Sequence, residues 1–334
     1  MVSRVLTLKH SGSSPILALQ EAPLEAPQGD QVRVRITSAG LNRADLLFQH
    51  ERYFEKPSPN CRIGFEGAGI VEAVGPLTSY RVGDRVALCP MLIKASTQGC
   101  FADHAVFDSA QLIDSPASLS DTLTGAVWMS YLTAWGGMID AGALRANETV
   151  LISAASSSVG IASIQVALAH GANIIATTTS ASKAALLKEQ GAHHVLIQPR
   201  DEAEFDKFSE QIHQCAPEGI DLSFDAVAGP VSRVLVKNAK RGGRIVIHGL
   251  LDRRPMNIHA GVLMKRLLTL SGYTLDASLA QPSLKTAAIK AVRSGLENGA
   301  YSPLIAATYP LSNFQEAFDA LASNQHVGKI VLCP

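Results

Sequence analysis

The segment Glu148–Lys183 reads ETVLISAASSSVGIASIQVALAHGANIIATTTSASK and predicts a strand, a turn, a helix and a second strand in succession. The residues at the turn and at the start of the helix are Ser157, Ser158, Val159 and Gly160. The free N–H groups and the positive dipole end of such a helix bind a pyrophosphate. The segment therefore predicts a dinucleotide site. Only one of the three usual glycines is present, and a serine-capped helix without a ligand is the alternative.

The end of the second strand indicates which dinucleotide is bound. An NAD site places an acidic side chain there for the ribose hydroxyls. This chain has instead the polar residues Thr178, Thr179, Ser180 and Lys183. Hydroxyls and an ammonium group suit a 2′-phosphate, so NADPH is predicted rather than NADH. Arg200 is a further candidate for the phosphate, and its role stays open.

Composition limits the other possibilities. A chain of 334 residues predicts two domains. Lys plus Arg equals Asp plus Glu at 29 each, so no net charge favours nucleic acid or an anionic membrane. The five cysteines are widely spaced and include no CxxC pair, which predicts reduced thiols. With neither a signal peptide nor a long apolar run, the sequence predicts a cytoplasmic protein that acts on a small molecule.

The order of the segments predicts the domain organisation. From about Glu148 onward, strand-like and helix-like segments alternate, which predicts a doubly wound parallel sheet. The preceding region has short alternating runs such as Gln31–Ile36, which predict a β-rich domain. A last helix over Ser312–Ala322 is predicted to open with a Ser312…Gln315 capping box, and His326–Leu332 is predicted to be a strand that returns to the first domain. The predicted boundaries are 1–121, 122–266 and 267–334.

Seven stretches in this order resemble the medium-chain dehydrogenase/reductase superfamily, in its zinc-free quinone oxidoreductase branch of the zeta-crystallin type. They are Ala39–Leu47 (AGLNRADLL), Gly64–Ile70 (GFEGAGI), Gly83–Val86 (GDRV), Gly99–Ala102 (GCFA), Leu132–Gly137 (LTAWGG), Asp225–Gly229 (DAVAG) and Gly242–Gly249 (GGRIVIHG). The resemblance covers nearly the whole chain. It implies an α/β fold with a GroES-like β-rich catalytic domain and a Rossmann domain that binds NADPH. It also implies a homodimer, for which the strand Arg244–His248 is predicted to be the sheet edge.

The residues at the positions of the zinc ligands indicate which reaction is feasible. Zinc alcohol dehydrogenases of this superfamily need Cys, His and Cys or Asp there, whereas this chain has Asn42, Phe65 and Met129. An amide, a phenyl ring and a thioether do not hold zinc together, so no metal is predicted. Hydride transfer to the β-carbon of an enone or quinone needs no Lewis acid. The resemblance therefore implies reduction of quinones or other activated α,β-unsaturated carbonyls, in a cleft between the two domains.

The resemblance also suggests individual site residues. The tyrosine usual in this branch is replaced by Leu47, so Tyr53 is the candidate proton donor, with a loop tyrosine that packs on Pro57 as the alternative. Asn42 is expected beside the nicotinamide and the substrate oxygen, with an Asx-turn as its structural alternative. Thr133 resembles a residue that contacts the nicotinamide ribose or carboxamide, or it caps a helix that enters Ala134. The remaining predicted cofactor contacts are Gly249 and Leu250.

Two other functions stay open from the sequence. An enoyl-thioester reductase uses the same hydride chemistry on enoyl-CoA or an acyl carrier protein. A non-catalytic role is the third possibility, because zeta-crystallin-like proteins also serve as NADPH-binding structural or RNA-binding proteins. The zero net charge counts against RNA as the main ligand. No motif identifies the physiological substrate.

Overall fold

The computed structural model describes residues 2–334, and the strands are given first. In chain order they are β1 Val2–His10, β2 Ile16–Pro23, β3 Gln31–Gly40, β4 Cys61–Arg62, β5 Ala68–Val74, β6 Arg85–Leu88, β7 His104–Asp108, β8 Leu112–Asp114, β9 Thr149–Ile152, β10 Asn173–Thr178, β11 His194–Ile197, β12 Ile220–Asp225, β13 Ala239–Ile247, β14 Thr269–Gly272, β15 Ile305–Pro310 and β16 Lys329–Cys333.

The α-helices connect these strands, and a π-helical turn over Gly136–Ala141 follows the fourth of them. They are α1 Arg43–Gln49, α2 Ala95–Gln98, α3 Asp121–Thr124, α4 Trp128–Trp135, α5 Ser158–Ala169, α6 Ala184–Glu189, α7 Phe205–Cys215, α8 Ser232–Asn238, α9 Ala260–Arg266, α10 Leu275–Ser278, α11 Pro282–Glu297 and α12 Phe314–Ser323. None of the helices within residues 2–334 is both long and apolar enough to cross a bilayer.

The chain divides into two compact units. The first, called the β-unit here, comprises residues 1–129 and 303–334, and the second, called the nucleotide unit, comprises residues 130–302. The predicted boundary at 266 is therefore wrong. Strand β14 pairs with β13 in the sheet of the nucleotide unit, so residues 267–302 belong to that unit. Only the chain from Pro303 onward returns to the β-unit.

The β-unit is built from antiparallel strands over an apolar core. Strands β15, β16, β3, β5, β6 and β8 form one sheet in that order, with β7 paired to β3, while β2, β1 and β4 form a smaller sheet. The core includes Phe48, Phe65, Phe101 and Leu332. Because β16 pairs antiparallel with β3, the predicted return strand lies beside the strand that leads into α1.

The nucleotide unit is the predicted doubly wound sheet. Its strand order is β11-β10-β9-β12-β13-β14, and every neighbouring pair is parallel. The chain moves outward from β9 to β11, returns to pair β12 with β9, and then continues to the other side. In such sheets a ligand binds at the carboxyl ends of the strands where the direction reverses, here at β9 and β12.

Two local predictions are wrong. The strand Arg244–His248 is not a sheet edge, because β13 pairs with β12 on one side and with β14 on the other. The Ser312…Gln315 capping box does not form either. The Ser312 hydroxyl donates to Oδ1 of Asn313, and the Gln315 amide donates to Asp319. A 3₁₀ turn over Leu311–Asn313 moves the start of α12 to Phe314, which places the serine outside the capping position.

Candidate active site

The turn between β9 and α5 carries unused backbone donors. Ser157 is the N-cap residue of α5, and its side chain accepts a hydrogen bond from the Gly160 N–H at 3.0 Å. The N–H groups of Ser158 and Val159 have no acceptor within residues 2–334. A Cβ atom at Gly160 would lie 2.5 Å from backbone atoms of Ala155, so only glycine permits this close turn. The turn therefore presents two free donors at a helix N-terminus.

A hydrogen bond joins the ends of the two strands at the reversal point. The Ser153 hydroxyl donates to Oδ1 of Asp225 at 2.6 Å, and the same carboxylate accepts from the N–H groups of Val227 and Ala228 at 2.9 and 3.0 Å. Asp225 is fully buried, and burial raises its pKa. The bond fixes the loops that follow β9 and β12 relative to each other. These two residues were not among the predicted site residues, although Asp225 begins the DAVAG stretch.

The polar segment after β10 lies at the end of the strand, where the sequence predicted a phosphate contact. Thr178 ends the strand in a buried position, and its hydroxyl accepts the Ser180 N–H at 3.3 Å. Lys183 is the last residue of a 3₁₀ turn, and partial burial lowers its pKa. The structure thus places Thr178, Ser180 and Lys183 on one short segment beside the carboxyl end of β10. Arg200 is exposed in the loop after β11.

The other predicted cofactor residues of the nucleotide unit lie at three places. Thr133 is within α4, five residues after its start, so the alternative that it caps a helix at Ala134 is wrong. Gly249 follows β13 closely, and a Cβ atom there would lie 2.6 Å from the carbonyl oxygen of Ala226. Leu250 is next in the chain and is exposed.

The β-unit contains a buried group of charged and polar residues, called the Asn42 cluster here. Its members are Gly40, Asn42, Asp45, Glu66 and Lys329. The Lys329 ammonium donates to Oδ1 of Asn42 at 2.6 Å and also to Oε2 of Glu66. The amide nitrogen of Asn42 donates to the Gly40 carbonyl at 3.0 Å and to Oε2 of Glu66 at 3.2 Å. The side chains of Lys329 and Glu66 are 3% and 0% exposed, so this is a buried ion pair.

Asp45 closes the cluster at the start of α1. Its Oδ2 accepts the Asn42 N–H at 2.7 Å, while its Oδ1 is buried without a partner. Burial raises the pKa of Asp45 to about 7. The nearby Lys329 ammonium lowers this pKa, and the Glu66 carboxylate raises it further. Asp45 is the third residue of α1, and its bond to the N–H of the N-cap residue Asn42 forms part of the capping box of this helix.

The positions compared with zinc ligands do lie together. Oε1 of Glu66 accepts the Met129 N–H at 2.7 Å, and Oε2 accepts from Asn42, so one carboxylate contacts both residues. Phe65 packs edge-on against Phe48 at a centroid distance of 5.6 Å. Within residues 2–334, no group of three or more His, Cys, Asp or Glu side chains is arranged to hold a metal ion.

Tyr53 lies in the segment after α1 and packs on aromatic side chains. Its ring is 5.2 Å from that of Phe65 and 5.5 Å from that of Phe54, measured between centroids. It is half-buried and borders the apolar core of the β-unit. The role of Tyr53 in catalysis stays a prediction, as does its packing on Pro57.

Sequence reasoning missed Glu66 and Lys329 as site residues. Both lay in quoted stretches, GFEGAGI and HVGKIVL, in which a single charge stands among small and apolar residues. A charge in such a run is seldom buried unless it is paired. That pattern is the signal that could have paired them, although 263 positions separate the two residues.

Comparison with known proteins supports the same fold and an oxidoreductase family. Residues 28–117 match the family described as alcohol dehydrogenase GroES-like domain, and residues 158–292 match the family described as zinc-binding dehydrogenase. Quinone oxidoreductase of Lama guanicoe is 26% identical over 332 residues, covering 98% of this chain and 97% of that protein. The structure of CurK enoyl reductase has a TM-score of 0.85 at 25% identity, covering 99% of each chain. A mycobacterial protein solved in complex with NADPH has a TM-score of 0.88 at 21% identity, covering 100% of each chain.

The fold, the two family matches and the full-length relatives define an oxidoreductase of a class that binds a nicotinamide cofactor. The chain belongs to the medium-chain dehydrogenase/reductase superfamily and to its quinone oxidoreductase branch. The predicted family and fold class are confirmed.

Proposed function

We propose that this protein is an NADPH-dependent reductase that transfers hydride to quinones or other activated α,β-unsaturated carbonyls without zinc. The observation that carries the proposal is the pair of free N–H groups at Ser158 and Val159, in the same unit as the polar segment Thr178–Lys183. The N–H groups would bind the pyrophosphate, and Lys183 would bind the 2′-phosphate. The other proposed cofactor contacts are Asn42, Thr133, Ser157, Gly160, Ser180, Gly249 and Leu250.

The full-length similarity to quinone oxidoreductases supports quinones as the substrate class. When bound, NADPH supplies a hydride from C4 of its nicotinamide. Tyr53 is the proposed donor to the oxygen on which negative charge develops, and the packing of its ring on Phe65 supports this role. A quinone oxygen also takes a proton from water, so positioning of the cofactor contributes more to catalysis than any one acid.

An enoyl-thioester reductase is the second candidate. The similarity to CurK enoyl reductase at 25% identity over nearly the whole chain favours it. The enolate of a thioester is more basic than that of a quinone and needs a donor in the transition state. The two candidate functions therefore differ in how far they depend on Tyr53.

The test is a screen of NADPH oxidation with quinones, enones and enoyl-CoAs, using the wild type and Tyr53→Phe. We expect the variant to keep most of kcat for quinones and to lose about 100-fold with an enoyl-CoA. Tyr309→Phe is a matched control, because Tyr309 also borders the core of the β-unit. No turnover of any quinone or enone by the wild type would refute the proposal. Loss of quinone reduction in Tyr53→Phe with NADPH affinity intact would make Tyr53 an obligatory acid.

The proposal includes a metal-free enzyme that is dimeric and cytoplasmic. Elemental analysis is expected to find no stoichiometric zinc, and chelators are expected to leave activity unchanged. Light scattering is expected to give the mass of a homodimer at micromolar concentration. The sheet edge available on that side of the nucleotide unit is β14 and not β13. An activity that depends on zinc would contradict the metal-free mechanism, and a stable monomer would contradict the homodimer.

A further inference from the structure

The β-unit contains a surface cavity of about 560 Å³ that no step of the proposed reaction uses, called the Arg62 cavity here. Its walls come mainly from β1, β2, β4, α2 and the loop after β2, and all of its lining residues belong to the β-unit. We propose that this cavity binds an amino acid with a basic side chain, whose carboxylate pairs with Arg62 and whose ammonium groups pair with Glu21 and Glu25.

Gly99 holds Arg62 at the wall of the cavity. The Arg62 carbonyl accepts the Gly99 N–H at 3.1 Å, and Nε of Arg62 donates to the Gly99 carbonyl. A Cβ atom at Gly99 would lie 2.1 Å from the Arg62 carbonyl oxygen, so only glycine permits this close approach. The register of β4 on β1 places Arg62 opposite Thr7, which also lines the cavity. The guanidinium is thus anchored at Nε by the protein alone.

The two terminal nitrogens of Arg62 are not engaged in the same way. Within residues 2–334, the bond from Nε is the only hydrogen bond of this guanidinium, and no carboxylate oxygen lies within 4.0 Å of its nitrogens. Two other partly buried arginines of the β-unit, Arg33 and Arg85, do have carboxylate partners. Burial lowers the pKa of Arg62, and the Glu25 carboxylate raises it. The four remaining N–H groups form the fork that binds a carboxylate through two parallel hydrogen bonds.

Glu21 and Glu25 bring negative charge to the same cavity. Both line it and are exposed, and neither carboxylate makes an ion pair or a hydrogen bond within the described residues. Glu25 acts on the Arg62 guanidinium electrostatically but lies beyond ion-pair distance, so there is space for a ligand between the two groups. The other lining residues are uncharged. The wall therefore carries one positive and two negative charges.

This set of charges selects the class of ligand. A simple anion or a dicarboxylate would be attracted by Arg62 but repelled by both glutamates, and a diamine would leave the guanidinium without a partner. An amino acid with a basic side chain has one carboxylate and two cationic groups, which is the complement of the wall. The volume of the cavity lies within the range of about 300–1,000 Å³ that is usual for small-molecule sites, and it exceeds the volume of one amino acid, so water fills the remainder.

The experiment is an NMR titration of the whole protein with four probes. L-lysine carries all three charges, L-norleucine lacks the side-chain ammonium, cadaverine lacks the carboxylate, and L-glutamate has a second carboxylate in place of the second cation. We expect L-lysine to bind with a dissociation constant of about 1 mM, L-norleucine about 3- to 10-fold more weakly, and the other two at least about tenfold more weakly.

Two variants locate the binding at Arg62. Arg62→Met is expected to weaken L-lysine binding about tenfold or more, because the paired hydrogen bonds to the carboxylate are lost. Arg81→Met is the matched control, since Arg81 is an exposed arginine of the same unit that does not line the cavity, and it should bind L-lysine like the wild type.

A charge reversal tests the role of the glutamates, also in the case that Arg62→Met does not fold. Glu25→Lys changes an exposed residue and gives the wall two positive charges and one negative charge, so L-glutamate should now bind more tightly than L-lysine. The proposal would be overturned by a wild type that binds no L-lysine at about 10 mM, by equal binding to the wild type and Arg62→Met, or by equal binding of L-lysine and L-norleucine. None of these titrations contains NADPH, so their failure leaves the proposed function to its own test.

Discussion

The nucleotide unit and the β-unit present their candidate ligand groups in opposite ways. The nucleotide unit offers backbone N–H groups at Ser158 and Val159 that have no acceptor in the protein. The β-unit offers Asn42, whose amide is almost fully engaged by Lys329, Glu66 and Gly40. The first unit therefore has hydrogen-bonding groups left over for a ligand, whereas around Asn42 in the second the protein itself uses most of them.

The largest effect that would test this contrast is the loss of the buried ion pair. Lys329→Met leaves the Glu66 carboxylate buried without its counter-ion, which is expected to lower the free energy of unfolding by about 3–5 kcal/mol. The matched control is Lys237→Met, because Lys237 pairs with Asp206 on the surface, with side chains 60% and 91% exposed. Urea denaturation should give the control variant an unfolding free energy close to that of the wild type. Equal losses of unfolding free energy in the two variants would mean that Lys329 and Glu66 are not a desolvated ion pair.

The next effect is a pH dependence that arises from Asp45 in the same cluster. Burial raises its folded-state pKa to about 7, above its value in the unfolded chain. The folded protein therefore holds the proton more tightly, and the resulting stability is present at low pH and is lost as the pH rises through about 7. Between about pH 5.5 and pH 8 the loss is about 2 kcal/mol.

Asp45→Asn removes this titration while keeping an oxygen that can accept the Asn42 N–H. Urea denaturation of the wild type and the variant at the two pH values, at equal ionic strength, gives the change in unfolding free energy of each protein between them. We expect the wild type to lose stability relative to the variant on going to pH 8. A variant with the same pH dependence as the wild type would show that Asp45 is ionised throughout this range.

The contrast also explains how much the sequence could predict. The strand–turn–helix around Ser157 is encoded by neighbouring residues, and so the predicted succession of strand, turn, helix and strand is found as β9, α5 and β10. The parallel sheet and its order follow from the alternation of such segments. Turn and helix-start details were less accurate, as Ser312 shows, because a 3₁₀ turn competes with the helix for the same residues.

The Asn42 cluster was harder to predict for a physical reason. Its hydrogen bond between Asn42 and Lys329 joins residues 287 positions apart, and only the pairing of β16 with β3 brings them together. The sequence identified Asn42 through a family resemblance, and the single charges in two apolar stretches were the one signal of its charged partners Glu66 and Lys329. The unit boundary at 266 failed for the same reason, since β14 joins its sheet through a tertiary pairing.

A smaller effect tests the nucleotide unit. Lys183→Ala is expected to weaken NADPH binding about tenfold, or about 1.4 kcal/mol, with NADH binding unchanged, because only NADPH carries the 2′-phosphate. Lys188→Ala is the matched control, as Lys188 is an exposed lysine of the following helix α6. Calorimetric titration of both cofactors gives the comparison. An equal loss for NADPH and NADH, or no loss at all, would place the phosphate elsewhere, with Arg200 as the next residue to change.

The smallest effect concerns the missing glycines of the turn. Ala154, directly after the bridging Ser153, has a φ of 47°, which lies in the left-handed region that is unfavourable for alanine. Ala154→Gly removes this strain of about 1–2 kcal/mol but adds freedom to the unfolded chain worth about 0.5–1 kcal/mol. We therefore expect a gain in unfolding free energy of about 0.5 kcal/mol. Ala162→Gly, in the interior of α5, should instead lose about 1–2 kcal/mol, because a helix favours alanine and the change also removes a fully buried methyl group. Urea denaturation gives the change in unfolding free energy for each variant. A gain for Ala154→Gly and a loss for Ala162→Gly would show that Ala154 is strained in the turn between β9 and α5. A loss in both variants would show that the turn accommodates alanine without strain.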